Sequence, residues 1–300
     1  MAAPAPVTAG LLRQRLADRA AGLEQALDAA AVTLDAAAVH RSRVQARGLR
    51  SLLATLEPLL RRSIADRLRR DLRRLADTFQ DVREADVRRK WFGAFATRRG
   101  ILPSRAGREL VAMMELAQQA ARGDLQGRLA SPSFGRRRAR IARDLRDARL
   151  VKEGDDPGSI VVRRLRKRWK RLRKTLRDSR DAGPEALHAL RLAVKHARYA
   201  SEDLMPLLGL DPAPASRHLK RLQDCLGEYR DADEALAWLD GPAGPHGPAL
   251  RARLRHPVAR LKHRRLKELR RLAADFEMPD LDPPSLSRAP RRPAARSARS

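Results

Sequence analysis

The stretch His188-Ala-Leu-Arg191-Leu-Ala-Val-Lys195-His-Ala-Arg198-Tyr decides how this chain is read. Its four numbered residues occupy relative positions 0, 3, 7 and 10. On an α-helix turning about 100° per residue they fall within an arc of about 80°, along roughly 15 Å of one face. The opposite flank carries Leu190, Ala197, Ala200 and Leu204, an apolar face able to anchor the helix. The same spacing occurs once more, in His40-Arg-Ser-Arg43-Val-Gln-Ala-Arg47-Gly-Leu-Arg50, with Leu49, Leu52, Leu53 and Leu56 on the buried flank. The two copies start 148 residues apart, about half the chain.

A second pair of motifs keeps nearly the same offset. Leu72-Arg-Arg-Leu75 followed by Arg83-Glu-Ala-Asp86 matches Leu219-Lys-Arg-Leu222 followed by Arg230-Asp231-Ala-Asp233, with the two arginines 147 residues apart. Two motifs repeated in the same order are hard to attribute to a Leu/Arg-rich composition, and they point to an internal duplication.

These motifs together resemble the CHAD family, named for a conserved histidine α-helical domain. The resemblance covers roughly residues 8–277. It implies two pseudo-symmetric helical bundles, with long basic helices lining a central groove that binds inorganic polyphosphate. Carried over position by position, the implied phosphate-binding residues are His40, Arg43, Arg47 and Arg50, then His188, Arg191, Lys195 and Arg198. Two positions depart from the pattern: Gly48 stands where the family usually has a second adjacent Arg, and Glu84 stands where the other copy has Asp231. Both departures imply weaker binding in the amino-terminal half. The setting implied by the resemblance is a polyphosphate granule in a bacterial cytoplasm, with any enzymatic partner on a separate chain.

Composition agrees with a polyanion as ligand. The 300 residues include 65 Lys and Arg against 36 Asp and Glu, a net charge of +29. Such an excess attracts nucleic acid, polyphosphate or an anionic membrane. Only nine of the basic residues are lysine; the rest are arginine, whose planar fork can donate two hydrogen bonds to one phosphate. Mutational bias toward Ala and Arg also explains the total, but not the repeated spacing. Hydrophobic residues make up 43% of the chain, enough for a core. Cys225 is the sole cysteine, which excludes an intrachain disulfide and suits a small core residue. No secretory pattern opens the sequence and no run of about 18 uncharged apolar residues occurs, so a cytoplasmic protein without membrane insertion is expected.

Read in order, the sequence predicts an all-α fold. Helices are expected over 8–38, 35–61 (with Pro58 forcing a kink or stop), 64–78, 83–99, 103–130 and 131–149. The polar, Gly- and Pro-containing residues 152–159 divide a first bundle (1–150) from a second (151–280). In the second, helices are expected over 161–176, 184–208, 216–226, 231–240 and 249–276. Residues 281–300, rich in Pro, Ser and Arg, read as a disordered basic tail.

The chemistry divides into contacts and supports. A row of cations on one helix face costs a few tenths of a kcal/mol per i,i+4 like-charge pair, about what a linear polyanion along the row offsets. A plain solvated face remains the simpler account of the basic run 163–174. His40 and His188 with Asp86 and Asp233 could in principle ligate a metal, but each His begins a row of cations, which suits bound anions better. Capping or core roles for the histidines stay open. Arg83, Asp86, Arg230, Asp231 and Asp233 read as supports that hold neighbouring arginines, with helix capping as the simpler role for the aspartates. No catalytic residues, metal site or cofactor are expected, because phosphate-loop, zinc-protease, Ser-hydrolase and CxxC signatures are missing. The alternative reading is a general polyanion or DNA-binding, nucleoid-type protein, with weak nucleic-acid binding through the tail. Against it, aromatics are only 3% of residues, and no helix-turn-helix or zinc-finger pattern is present.

Overall fold

The leucine spacing that defines the two motif helices recurs along the chain, and the computed structural model is built from it. It describes residues 7–98, 100, 104–148, 156–179, 183–241, 248–277 and 279. Among these, ten α-helices and no β-strand are formed: α1 (Ala9–Thr33), α2 (Ala36–Leu56), α3 (Arg62–Thr78), α4 (Gln80–Arg98), α5 (Arg105–Ala130), α6 (Pro132–Arg146), α7 (Pro157–Asp178), α8 (Pro184–Leu204), α9 (Ala213–Asp240) and α10 (Pro248–Ala274). Short 3-10 turns, Glu57–Leu59 and Pro206–Leu208, follow α2 and α8. Both motif helices are 21 residues long and hold the same position relative to their motif.

Local chemistry sets the boundaries. Thr8, Asp35, Ser104, Ser131 and Asp156 accept hydrogen bonds from the first free amides of α1, α2, α5, α6 and α7. The first helix stops at Thr33, short of residue 38, because Leu34 turns into the left-handed region (φ 50°) and Asp35 caps the next helix. That backbone geometry is unfavourable for a branched side chain, and packing of Leu34 against the main core holds it in place. The separate segments expected over 216–226 and 231–240 form one helix, α9. Leu219, Leu222, Leu226 and Tyr229 continue without a break into Ala232, Ala235 and Leu239, and Gly227 alone does not stop them. Of the expected linker 152–159, residues 152–155 lie outside the described residues, while Pro157–Ser159 open α7. The expected tail, 281–300, lies wholly outside them.

The predicted apolar flanks are buried. Leu49, Leu52, Leu53 and Leu56 of α2, with Leu190, Ala197, Ala200 and Leu204 of α8, belong to one core that draws on both halves of the chain. Each fully buried leucine contributes about 1.5–3 kcal/mol. A smaller core gathers Phe92 and Ala96 of α4, Leu110 and Met114 of α5, and residues of α9 and α10. Helix α9, about 42 Å long at 1.5 Å per residue, joins both cores, its first two thirds in one and its last third in the other. Cys225 is buried in the main core, as expected; its Sγ donates to the carbonyl of Arg265 at 3.2 Å. Burial pushes that thiol up to about 12, so it stays protonated.

Candidate anion-binding site

Contacts of α2 with α8, α8 with α9, α9 with α4 and α4 with α2 close a ring of four helices. A cavity of about 820 Å³ opens inside it. Helix α2 lines it with His40, Arg43 and Arg47, and α8 with Arg191, Lys195 and Tyr199. Helix α4 adds Arg83 and Arg88, and α9 adds Arg230 and Asp231. The apolar anchoring of α2 and α8 on the core turns the middle of each polar row toward the cavity.

The cavity withdraws these charges from water and crowds them. Arg43 is the most enclosed, at 5% exposure. Its Nη1 donates to the carbonyl of Ala76 at 2.7 Å and its Nη2 to Gln80 Oε1 at 2.5 Å, so it also clamps the end of α3 to the start of α4. Burial, with Arg47 and Arg83 nearby, lowers Arg43 to about 10, which leaves it charged at neutral pH. Burial likewise lowers Arg47 and Arg191, and each is depressed further by Arg230 on the facing helix. Lys195 responds most: burial first, then Arg191, Arg47, Arg230 and Arg43, bring its ammonium down to about 7. His40, at the same rim, is lowered by partial burial and by Arg83, Arg47 and Arg43. Asp231 moves the opposite way, raised by burial and by Glu234 against the pull of Arg191, Arg83 and Arg230. The site thus gathers partly dehydrated cations from both halves of the sequence, with the carboxylates Glu84, Asp224, Glu228, Asp231 and Glu234 also on its lining.

Not every residue expected here is here. Arg50 lies one turn past the cavity among Arg69, Arg73 and Asp77. His188 is exposed near the start of α8 and does not line the cavity. Arg198 turns toward Glu202, 3.5 Å away, and over the ring of Tyr199. Arg83 and Arg230 are the reverse case: expected as supports, they line the cavity. Asp86 and Asp233 hold no neighbouring arginine of their own motif. Asp86 accepts from Gln118 at 2.5 Å and lies 3.4 Å from Arg122 on α5, and Asp233 accepts from Lys262 on α10 at 2.5 Å. Each aspartate ties its cavity-lining helix to the helix that follows. Gly48 gives room to Arg19 of α1, whose guanidinium lies 3.4 Å from where a Cβ would stand.

Sequence reading missed Arg88, Tyr199, Trp91 and Trp238 as lining residues. A signal for the tryptophans was present: each follows its motif arginine, Arg83 or Arg230, by eight residues, so the pair keeps the 147-residue offset. Among the described residues no group of three or more His, Cys, Asp or Glu side chains is placed to hold a metal ion. None of the described helices is long and apolar enough to cross a membrane.

The fold and site together define an all-α protein built around a cationic interhelical cavity. The model of the CHAD domain family matches residues 14–240, most of the chain, and the protein belongs to that family. The structure is similar to that of the CHAD domain from the plant Ricinus communis, with a TM-score of 0.72 at 20% identity, covering 93% of this chain and 96% of that one. It is also similar to PptA from Streptomyces chartreusis, with a TM-score of 0.71 at 19% identity over 90% of this chain and 98% of that one. At such identities these two likenesses speak for the fold alone. No curated protein matches the sequence.

Proposed function

We propose that this protein binds inorganic polyphosphate in the ring cavity, as a non-enzymatic module, and that binding directs it to polyphosphate granules in the cytoplasm. One observation carries the reading: Arg43, Arg47, Arg191 and Lys195 converge on one cavity although burial and neighbouring cations oppose it, with Arg83 and Arg230 lining the same space. A linear polyanion relieves both costs, because each phosphate supplies the charge and acceptors that water supplied before. Membership of the CHAD family supports a polyphosphate-related role. The repeated motifs and equal lengths of α2 and α8 support an origin by internal duplication, in which each half supplies one cationic row.

The test is direct. Replacing Arg191 and Lys195 together by Ala removes two cavity cations and no core side chain. We expect polyphosphate affinity to fall by roughly 100-fold at near-physiological salt while thermal stability is kept, each charged contact being worth about 1.5 kcal/mol. Unchanged affinity in a folded double variant refutes the assignment.

A second reading, general polyanion or nucleic-acid binding, is favoured by the exposed cations of α7. Arg163, Arg166, Lys167, Lys170, Arg171 and Arg173 all face solvent there. Binding of that kind falls off steeply with salt and is indifferent to the cavity.

A further inference from the structure

We propose that the cavity takes a nucleoside polyphosphate, its base against an aromatic wall closed by Trp91 and Trp238 and its phosphates among Arg83, Arg191 and Arg230. The proposal rests on the phosphate reading above and extends it to a second part of the ligand.

The first observation is the wall itself. Phe92 is buried beneath it, edge-on to Trp91 with centroids 4.9 Å apart and tilted against Trp238 at 4.9 Å. Phe95 stacks on Trp91 at 5.4 Å and 6°. Arg88 lies over the ring of Trp238 at 5.8 Å. Trp91 and Trp238 close the smaller core on one side, line the cavity on the other, and are each half-buried. The chain has five Phe, three Trp and two Tyr, and four of these ten residues line this one cavity. Inorganic polyphosphate offers aromatic rings nothing to bind, whereas a nucleobase stacks on them.

The second observation is the spacing. On both α4 and α9 the tryptophan follows a cavity arginine by eight residues, about 12 Å along the axis. That matches the separation between the base and the outer phosphates of an extended nucleoside triphosphate.

The third observation is the carboxylates. Glu234 lies midway between Arg230 and Trp238, four residues from each, and lines the cavity beside Asp231. Glu234 accepts from Arg230 Nε at 2.5 Å. A chain of phosphates has only acceptors and is repelled by such groups. Ribose hydroxyls are donors and occupy the corresponding place between base and phosphates. The cavity volume, about 820 Å³, lies within the usual ~300–1,000 Å³ of small-molecule sites.

The experiment compares adenosine triphosphate with inorganic tripolyphosphate, which carries the same phosphate chain without base or ribose. Titration calorimetry uses the full chain at equal ionic strength without divalent metal. The nucleotide is expected to bind about tenfold more tightly despite its lower charge, the worth of one stacked base. Trp238→Leu, with its fold checked by circular dichroism, is expected to lower nucleotide affinity about tenfold and tripolyphosphate affinity by less than about twofold. Equal affinities of the unaltered protein for the two ligands overturn the proposal, as does a Trp238→Leu loss that is absent or shared by both; the first comparison decides even where the variant does not fold. If long-chain polyphosphate binds and the nucleotide does not, the base site is overturned and the phosphate reading stands. If tripolyphosphate and long-chain polyphosphate both fail to bind, the phosphate reading falls with it.

Discussion

Lys195 shows at the scale of one residue what the cavity does to charge. With an ammonium lowered from 10.5 to about 7, it is largely neutral above pH 7 in the free protein. Bound phosphate favours the charged form, so binding above pH 7 takes up a proton. Polyphosphate affinity is therefore expected to fall roughly tenfold between pH 6 and 8.5. Lys195→Arg, charged throughout, is expected to flatten that profile, and calorimetry in buffers of different ionisation enthalpy reads the proton directly. A steep profile retained in Lys195→Arg would assign the proton to another group. The stability sign follows from the same values. Between about 7 and 10.5 the unfolded chain holds the proton that the folded chain has lost, so stability rises with pH across that window relative to Lys195→Met. The sequence made Lys195 legible as a cation in a row through its spacing alone. Its depth and the cations facing it are not local properties, because Arg47 and Arg230 come from other helices.

At the scale of elements, ion pairs across helices set how the ring is held. Asp203 of α8 is fully buried and meets Arg15 at 2.9 Å and Arg19 at 2.7 Å, both from α1. Arg67 and Arg140 pair with Asp144 and Asp71 in a reciprocal clasp between α3 and α6. Removing the shared carboxylate leaves two poorly hydrated cations together, so Asp203→Ala is expected to cost about 3 kcal/mol in chemical denaturation. Asp66→Ala removes a half-buried surface partner of Arg62 and Arg69 and is expected to cost under about 1 kcal/mol. Equal losses would mean that burial does not govern these pairs. Most helices were legible because leucine spacing is local; the early stop of α2 followed from Pro58 and the start of α8 from Gly183-Pro184, while α8 ends at Leu204, short of the expected 208. The join within α9 was not legible: Gly227 and the acidic cluster after it look like a break, and burial on two cores keeps the helix whole. The partners of Asp86 and Asp233 were equally hidden, since they lie on helices α5 and α10, 32 and 29 residues on.

At the scale of the whole molecule, four of the ten described helices form a ring whose polar faces meet, and the net charge of +29 supplies long-range attraction to any polyanion. Long-range attraction does not distinguish a phosphate chain from a nucleic acid; on the proposal above the ring cavity of about 820 Å³ would, because duplex DNA is too wide to enter it. The fold and its two rows were readable from repeated motifs, whereas the selection of Arg43, Arg47, Arg191 and Lys195 over Arg50, His188 and Arg198 required the helices in place. The measurement that tests the central claim most directly is a competition. Labelled long-chain polyphosphate is bound to residues 1–280 and challenged with duplex DNA at fixed, near-physiological salt. The cavity account predicts displacement only at large excess of DNA phosphate, and no loss of polyphosphate affinity on removing residues 281–300. Displacement at equal phosphate would contradict it and make the protein a general binder of polyanions.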